Sequence, residues 1–181
     1  LASVLIGSIP FSYLIPKVFL DIDVLQHGPG NPGSSNVSRV CGKGYGIAAL
    51  VMDVGKGVVA VFLIHQLGYP IWIGFLAIPG HVFNPFFRLS GGKGVATSLG
   101  TISYVLPWAG LVFVLIWITL ILIWNVAGLS SVVSISSTPL VFYLFNLETH
   151  LLWASIALAC LIYFTHRGNI KRLVRGEERS I

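Results

Sequence analysis

The chain has 181 residues, of which 55% are hydrophobic and only 9% charged, and its mean hydropathy is +0.88. A soluble domain carries about a quarter charged residues, so these few cannot cover a globule in water, and the chain reads as an integral membrane protein. The net charge of +5 and pI of about 9.5 would suit nucleic acid in a soluble protein. Here they are assigned to membrane topology and to anionic lipids or substrates, with no nucleic-acid partner.

Apolar segments fall at roughly 1–20, 46–66, 69–88, 95–106, 108–124, 129–146 and 150–165. A crossing helix needs about 20 apolar residues, fewer where it is short or broken. The predicted fold class is therefore all-α: a polytopic membrane helix bundle of about seven transmembrane helices, with residues 1–181 forming one domain. The fourth segment is short and rich in Gly and Ser, and it either spans or re-enters. The chain begins at Leu1 inside an apolar run, so part of the first helix is expected to precede it. No cleavable signal pattern is visible.

Charge placement decides the count. With the N-terminus outside and seven crossings, the inside regions are 17–45, 88–94, 125–128 and the tail from 166. They hold Lys17, Arg39, Lys43, Arg88, Lys93, Arg167, Lys171, Arg172, Arg175 and Arg179, ten of the eleven Lys and Arg. The outside connections near 67–69, 107 and 147–149 hold none. A re-entrant 95–106 would strand five cations of the tail outside. The positive-inside rule thus predicts an outside N-terminus and a cytoplasmic C-terminus. The eleventh cation, Lys56, lies mid-span three residues after Asp53. Residues so spaced share a helix face, and a structural ion pair is expected. Cys41 and Cys160 are far apart without ligand spacing, and neither is expected in a disulfide or metal site.

Three polar constellations interrupt the apolar runs. The first, HGPGNPGSSNVSRVCGKGYG (27–46), is the longest non-apolar stretch and reads as a loop. Its glycines, Asn31, Ser34, Ser35 and Asn36 offer backbone and side-chain donors, and Arg39 and Lys43 add positive charge suited to phosphate. The second, GHVFNPFFRLSGGKGVATSLG (80–100), carries His81, Asn84 and a Gly91–Gly94 loop around Lys93. A helix starting near Val95 would turn its free N–H groups and positive dipole end toward Gly92, Lys93 and Gly94. No Ser or Thr follows the Gly-Lys-Gly tripeptides at 42–44, 55–57 or 92–94, so a nucleotide P-loop is a poor fit. The third pairs NVAGLSS (125–131) with HRGN (166–169). There His166 and Asn169 share a helical face, with Ser130 and Ser131 nearby to orient them or simply to pack.

All three constellations map to one membrane face, so Lys93 is expected to help hold a phosphate at the cytoplasmic surface. No Cys/His cluster or paired-acid motif is visible, so no metal or cofactor is expected. No His is followed five positions later by Asp, which excludes the His-x4-Asp pattern of common glycerolipid acyltransferases.

The ordered set GSIPFSYLIPK (7–17), GNPGSSNVSR (30–39), DVGKG (53–57), GGKGVATSLG (91–100) and HRGNIKRL (166–173) resembles the bacterial PlsY family over nearly the whole chain. Each motif alone is modest; the ordered set is specific. The resemblance implies a seven-span, multi-pass enzyme of the bacterial cytoplasmic (inner) membrane, its active site facing the cytoplasm. It implies acyl transfer from long-chain acyl phosphate to the 1-hydroxyl of glycerol 3-phosphate, giving lysophosphatidic acid and phosphate in phospholipid biosynthesis. It also implies phosphate handling by Asn31, Ser35, Asn36 and Arg39, a glycine-rich site at Gly91–Gly94 with Lys93, and a C-terminal pair at His166 and Asn169. The family commonly reads Gly-Ser-Gly-Asn where this chain has Gly28-Pro29-Gly30-Asn31, so a serine there is not expected to act.

The residues suit that reaction. An acyl phosphate is a mixed anhydride with a good leaving group, so no covalent enzyme intermediate is required. Arg39, Lys43 and Lys93 are expected to bind phosphate and stabilise developing charge, with His81 lining the site. His166 and Asn169, assisted by Ser131, would orient the hydroxyl, and either His166 or a substrate phosphate takes its proton. The expected partners are glycerol 3-phosphate, long-chain acyl phosphate and membrane lipids, with the protein a monomer. The rival reading, a small transporter for a phosphorylated solute, would place its binding groups along a path through the membrane. A scaffold without chemistry leaves the glycine-rich loops unexplained.

Overall fold

The computed structural model describes residues 1–28, 30–87 and 90–178. The inside charges expected of Arg88 and Arg179, and the departure at Pro29, lie outside the described residues. The described residues are helical, without a strand among them. They form two compact units, Leu1–Thr101 and Ile102–Ile181.

The first unit contains α1 (Ala2–Gly7), α2 (Phe11–Leu20), α3 (Ser34–Cys41), α4 (Lys43–Gln66), α5 (Ala77–Val82) and the start of α6 (Val95–Val105). Short 3-10 turns lie at Val24–Gln26, Ile71–Leu76 and Pro85–Phe87. The first apolar run is broken: Pro10 caps α2 and the chain turns between Ser8 and Pro10. In an apolar medium the carbonyls freed by such a break need donors. Asn84 Nδ2 donates to the Ser8 carbonyl at 2.7 Å, and Lys56 Nζ donates to the Ile9 carbonyl at 2.8 Å. Pro16, by contrast, sits inside α2 without ending it.

Glycines let the helices of this unit touch through their backbones. A β-carbon on Gly7 would collide with the Ala77 carbonyl, and one on Gly80 with that of Val4, so α1 and α5 cross without side chains between them. Gly57 on α4 and Gly100 on α6 make the equivalent contact. The stretch 27–46, expected as a loop, holds the helix α3. Its Val37 joins Val24 and Ala49 in a buried cluster flanked by Tyr13, Ile15, Ile22, Cys41 and Tyr45. That burial overrides the loop-favouring Ser and Asn composition. Burial pushes the Cys41 thiol up, away from the reactive thiolate.

The second unit carries α7 (Pro107–Trp124), α8 (Ala127–Leu144), α9 (Thr149–Thr165) and α10 (Arg167–Val174), packed α7 on α8 and α8 on α9. Pro107 stands at the first position of α7, where its missing N–H costs nothing. Asn125 ends α7 in the left-handed conformation, with φ of 53°. The serines of α8 answer their own helix: Ser130, Ser131 and Ser134 donate to carbonyls four residues back at 2.7–2.9 Å. Hydroxyls at these positions therefore need no water.

Helices α4, α7 and α8 are each long and apolar enough to cross a membrane, and α9 with α10, bent by 55°, makes a fourth if counted as one span. Shorter apolar helical stretches cover Phe11–Leu20, Ile71–Phe87 and Val95–Val105.

Candidate active site

In the first unit, Asn36 organises the turn that precedes α3. Its Nδ2 faces three backbone carbonyls: Val24 at 2.9 Å, Asn31 at 3.0 Å and His27 at 3.2 Å. Its Oδ1 lies against Gly28, whose φ of +62° places its Cα where a β-carbon would strike that oxygen. The residue is 1% exposed. Asn36, expected to touch substrate, thus has its donor amide engaged by the loop backbone. Asp23 caps the preceding turn, accepting from Leu25 N and Gln26 Nε2 at 3.0 Å each.

Ser35 and Arg39 are four residues apart on α3, share one face, and are exposed. Ser35 stands in the first turn, where backbone N–H groups have no partner within the helix. Asn31 lies just before it and is half-buried, while Lys43 is exposed at the first turn of α4. A cation there opposes the helix dipole, so helix stability does not account for it.

The Gly91–Gly94 loop is pressed onto the end of α5. Gly91 N donates to the Val82 carbonyl at 2.9 Å, and a β-carbon on Gly91 would collide with the His81 carbonyl. One on Gly92 would collide with Nε2 of the His81 ring. Gly94 takes φ of +87° and leads into α6, where Ser98 Oγ donates to its carbonyl at 2.7 Å. Half-buried Lys93 is therefore carried on a backbone without bulk, two residues before the first residue of α6. His81 is 7% exposed. Its Nδ1 lies 2.8 Å from Lys56 Nζ, which ion-pairs with Asp53 Oδ1 at 2.7 Å. Asp53 Oδ2 accepts from Ser12 Oγ at 2.6 Å. The expected Asp53–Lys56 pair is present, and it is tied to both the helix break and the glycine loop.

In the second unit, the two segments of the third constellation meet. The Asn169 side chain packs on Gly128, where a β-carbon would fall 2.8 Å from its Nδ2. Asn169 Nδ2 donates to Glu178 Oε1 at 2.5 Å, and Arg172 Nε donates to Glu178 Oε2 at 2.7 Å. His166 stands at the bend between α9 and α10, 2% exposed. Its Nδ1 lies 2.8 Å from the Ile162 carbonyl, which only accepts. Nδ1 therefore carries a ring proton. Ser131 donates to the Ala127 carbonyl at 2.8 Å and accepts from Trp117 Nε1 at 3.1 Å. A hydroxyl has two lone pairs, so what Ser131 has left to offer is one acceptor site.

The sequence pointed to neither Ser12 nor Glu178. Ser12 lies inside a quoted motif, yet nothing in spacing pairs it with Asp53 forty-one residues on. Glu178 follows Gly176, whose φ of +70° turns the chain back toward α10. Among the described residues, no group of three His, Cys, Asp or Glu could hold a metal ion.

The fold and these loops define a class: an integral membrane helix protein that carries a lysine on a glycine-walled loop. A family model described as glycerol-3-phosphate acyltransferase matches residues 1–176. A glycerol-3-phosphate acyltransferase of Thioalkalivibrio sulfidiphilus is 39% identical, over 100% of this chain and 91% of its own length. That of Desulforudis audaxviator is 38% identical, over 97% and 90%. A crystal structure of PlsY (YgiH), an integral membrane glycerol 3-phosphate acyltransferase in its glycerol 3-phosphate form, superposes with a TM-score of 0.91 at 33% identity. The match covers 99% of this chain and 92% of that one. A lysophosphatidic acid form of the same protein gives 0.90 at 32%. The chain belongs to the glycerol-3-phosphate acyltransferase family.

Proposed function

We propose that the chain acylates the 1-hydroxyl of glycerol 3-phosphate with a long-chain acyl phosphate, releasing lysophosphatidic acid and inorganic phosphate. The observation that carries this reading is the match over 99% of the chain, at a TM-score of 0.91, to a relative crystallised in its glycerol 3-phosphate form. The site chemistry agrees with it. The hydroxyl oxygen attacks the acyl carbon, the bond from that carbon to the phosphate oxygen breaks, and the electron pair leaves with phosphate. Lys93 and the backbone N–H groups around Gly92 and Gly94 bind a phosphoryl group and stabilise its growing charge. Ser35 and Arg39, with Asn31 beside them and Lys43 nearby, offer a second set of phosphate donors. His166 and Asn169 orient the hydroxyl, Ser131 accepts a hydrogen bond, and the proton passes to a substrate phosphate.

The topology we propose has seven crossings in the bacterial inner membrane, with the N-terminus outside and the site on the cytoplasmic side. Three long apolar helices, the bent pair α9–α10 taken as one span, and three shorter apolar stretches are compatible with that number, and the cations favour that orientation. The enzyme acts as a monomer without metal or cofactor. Purified protein given glycerol 3-phosphate and acyl phosphate tests the reading through stoichiometric ester and phosphate. Solute accumulation in sealed vesicles without ester would assign the chain to transport instead.

A further inference from the structure

Lys56 is the hub of a buried cluster that reaches the glycine loop. Its ammonium lies 2.7 Å from Asp53 Oδ1, 2.8 Å from the Ile9 carbonyl and 2.8 Å from His81 Nδ1. The side chains of Lys56 and Asp53 are 1% and 3% exposed. The Asp53 carboxylate and the Ile9 carbonyl are both acceptors at hydrogen-bond distance, so the lysine nitrogen stands among them as an ammonium donor, and an ammonium has no lone pair. The short contact to His81 is then a hydrogen bond only if Nδ1 accepts. The ring proton must therefore sit on Nε2, the nitrogen lying where Gly92 has no side chain.

We propose that Lys56 is a positioning residue: anchored by Asp53, it fixes His81 as the Nε2–H tautomer and so delivers a neutral donor beside Gly92 to a phosphoryl oxygen of the substrate. The inference rests on the reading of the Gly91–Gly94 loop as a phosphoryl site. It gives the absent side chain at position 92 a purpose: the imidazole edge stands there instead, and any larger residue would displace it. It also explains a cation buried in an apolar span, which acts through its orientation of His81. Without Lys56, the Asp53 carboxylate, already 3.9 Å from Nδ1, would draw the ring proton to itself. Nε2 would then face the phosphoryl oxygen as a lone pair, and the contact would turn repulsive.

The test uses the full chain in detergent with ring-15N histidine, the His81 signals being assigned by their loss in His81→Gln. Expected is an imine-type Nδ1 and a protonated Nε2 whose signal moves on adding inorganic phosphate. A protonated Nδ1 in the wild-type protein overturns the proposal outright. Kinetics separate position from structure. His81→Asn keeps an acceptor for Lys56 but does not reach the loop, and should raise KM for one phosphate-bearing substrate about five- to ten-fold with little change in Tm. His81→Gln, whose amide reaches the Nε2 position, should recover much of that loss. The charge-free double variant Asp53→Asn/Lys56→Met should lose the single tautomer and show the same rise in KM. Should Lys93→Ala raise KM while His81→Asn leaves both constants unchanged, the loop reading stands and this inference falls. Should Lys93→Ala itself leave both unchanged, the loop reading falls, and the inference with it.

Discussion

Gly57 on α4 and Gly100 on α6 meet backbone to backbone. A β-carbon on Gly57 would lie 3.2 Å from the Gly100 Cα, and one on Gly100 would collide with the Val54 carbonyl. This contact seats the helix that follows the Lys93 loop against the helix that carries Asp53 and Lys56. Neither obstruction is a flexible side-chain tip, so the helices must part to admit a methyl group. Gly100→Ala should cost about 1–3 kcal/mol, seen as a lowered Tm in detergent. It should also raise KM, because the loop moves with α6. An unchanged Tm would mean that the two helices have room to spare.

Asp53 and Lys56 should show coupled stability. Removing one partner leaves a charge buried in apolar surroundings, at about 3–5 kcal/mol. Asp53→Asn and Lys56→Met are each expected to lower Tm strongly. The double variant should recover part of the loss, because no lone charge remains. Strictly additive losses would contradict the pairing.

Much of this fold is legible in the sequence, for identifiable reasons. The ends of α7 follow from Pro107 and Asn125, and the α8 and α9 boundaries lie within two residues of their apolar runs. The break at Ser8–Pro10 is not legible, since Pro10 breaks the run and Pro16 does not, and only the donors Asn84 and Lys56 decide between them. α3 is hidden for a related reason: its Ser and Asn favour a loop, and Val37 pays for the helix only once Val24 and Ala49 cover it. The approach of Gly128 to Asn169 follows from chain order alone. The inward turn of Asn36 does not, because an asparagine that holds carbonyls looks the same in sequence as one that holds a ligand.

That difference between Asn36 and its neighbours is measurable. Asn36→Leu removes the donor to three carbonyls and should destabilise the protein by about 1–3 kcal/mol. Hydrogen exchange of residues 24–33 should accelerate with it. Arg39→Ala should instead raise KM for a phosphate substrate, with a much smaller change in Tm and in exchange of residues 24–33 than Asn36→Leu. Equal effects of both variants on Tm would erase the distinction.

His166→Ala should lower kcat by about 10²-fold through loss of positioning. The acidic limb of the pH–rate profile should survive, because a phosphate monoester with a second pKa of about 6 supplies it. Disappearance of that limb in the variant would make His166 Nε2 the general base. Near-normal turnover at every pH would remove His166 from the reaction.

The choice of acyl donor is the claim on which the rest of the chemistry stands. It is tested most directly by giving the purified chain labelled glycerol 3-phosphate with one long-chain donor at a time, and counting ester and released phosphate. The account predicts 1-acyl lysophosphatidic acid from acyl phosphate, with one phosphate freed per ester, and none from the corresponding acyl thioesters. Ester formed from a thioester but not from acyl phosphate would contradict it.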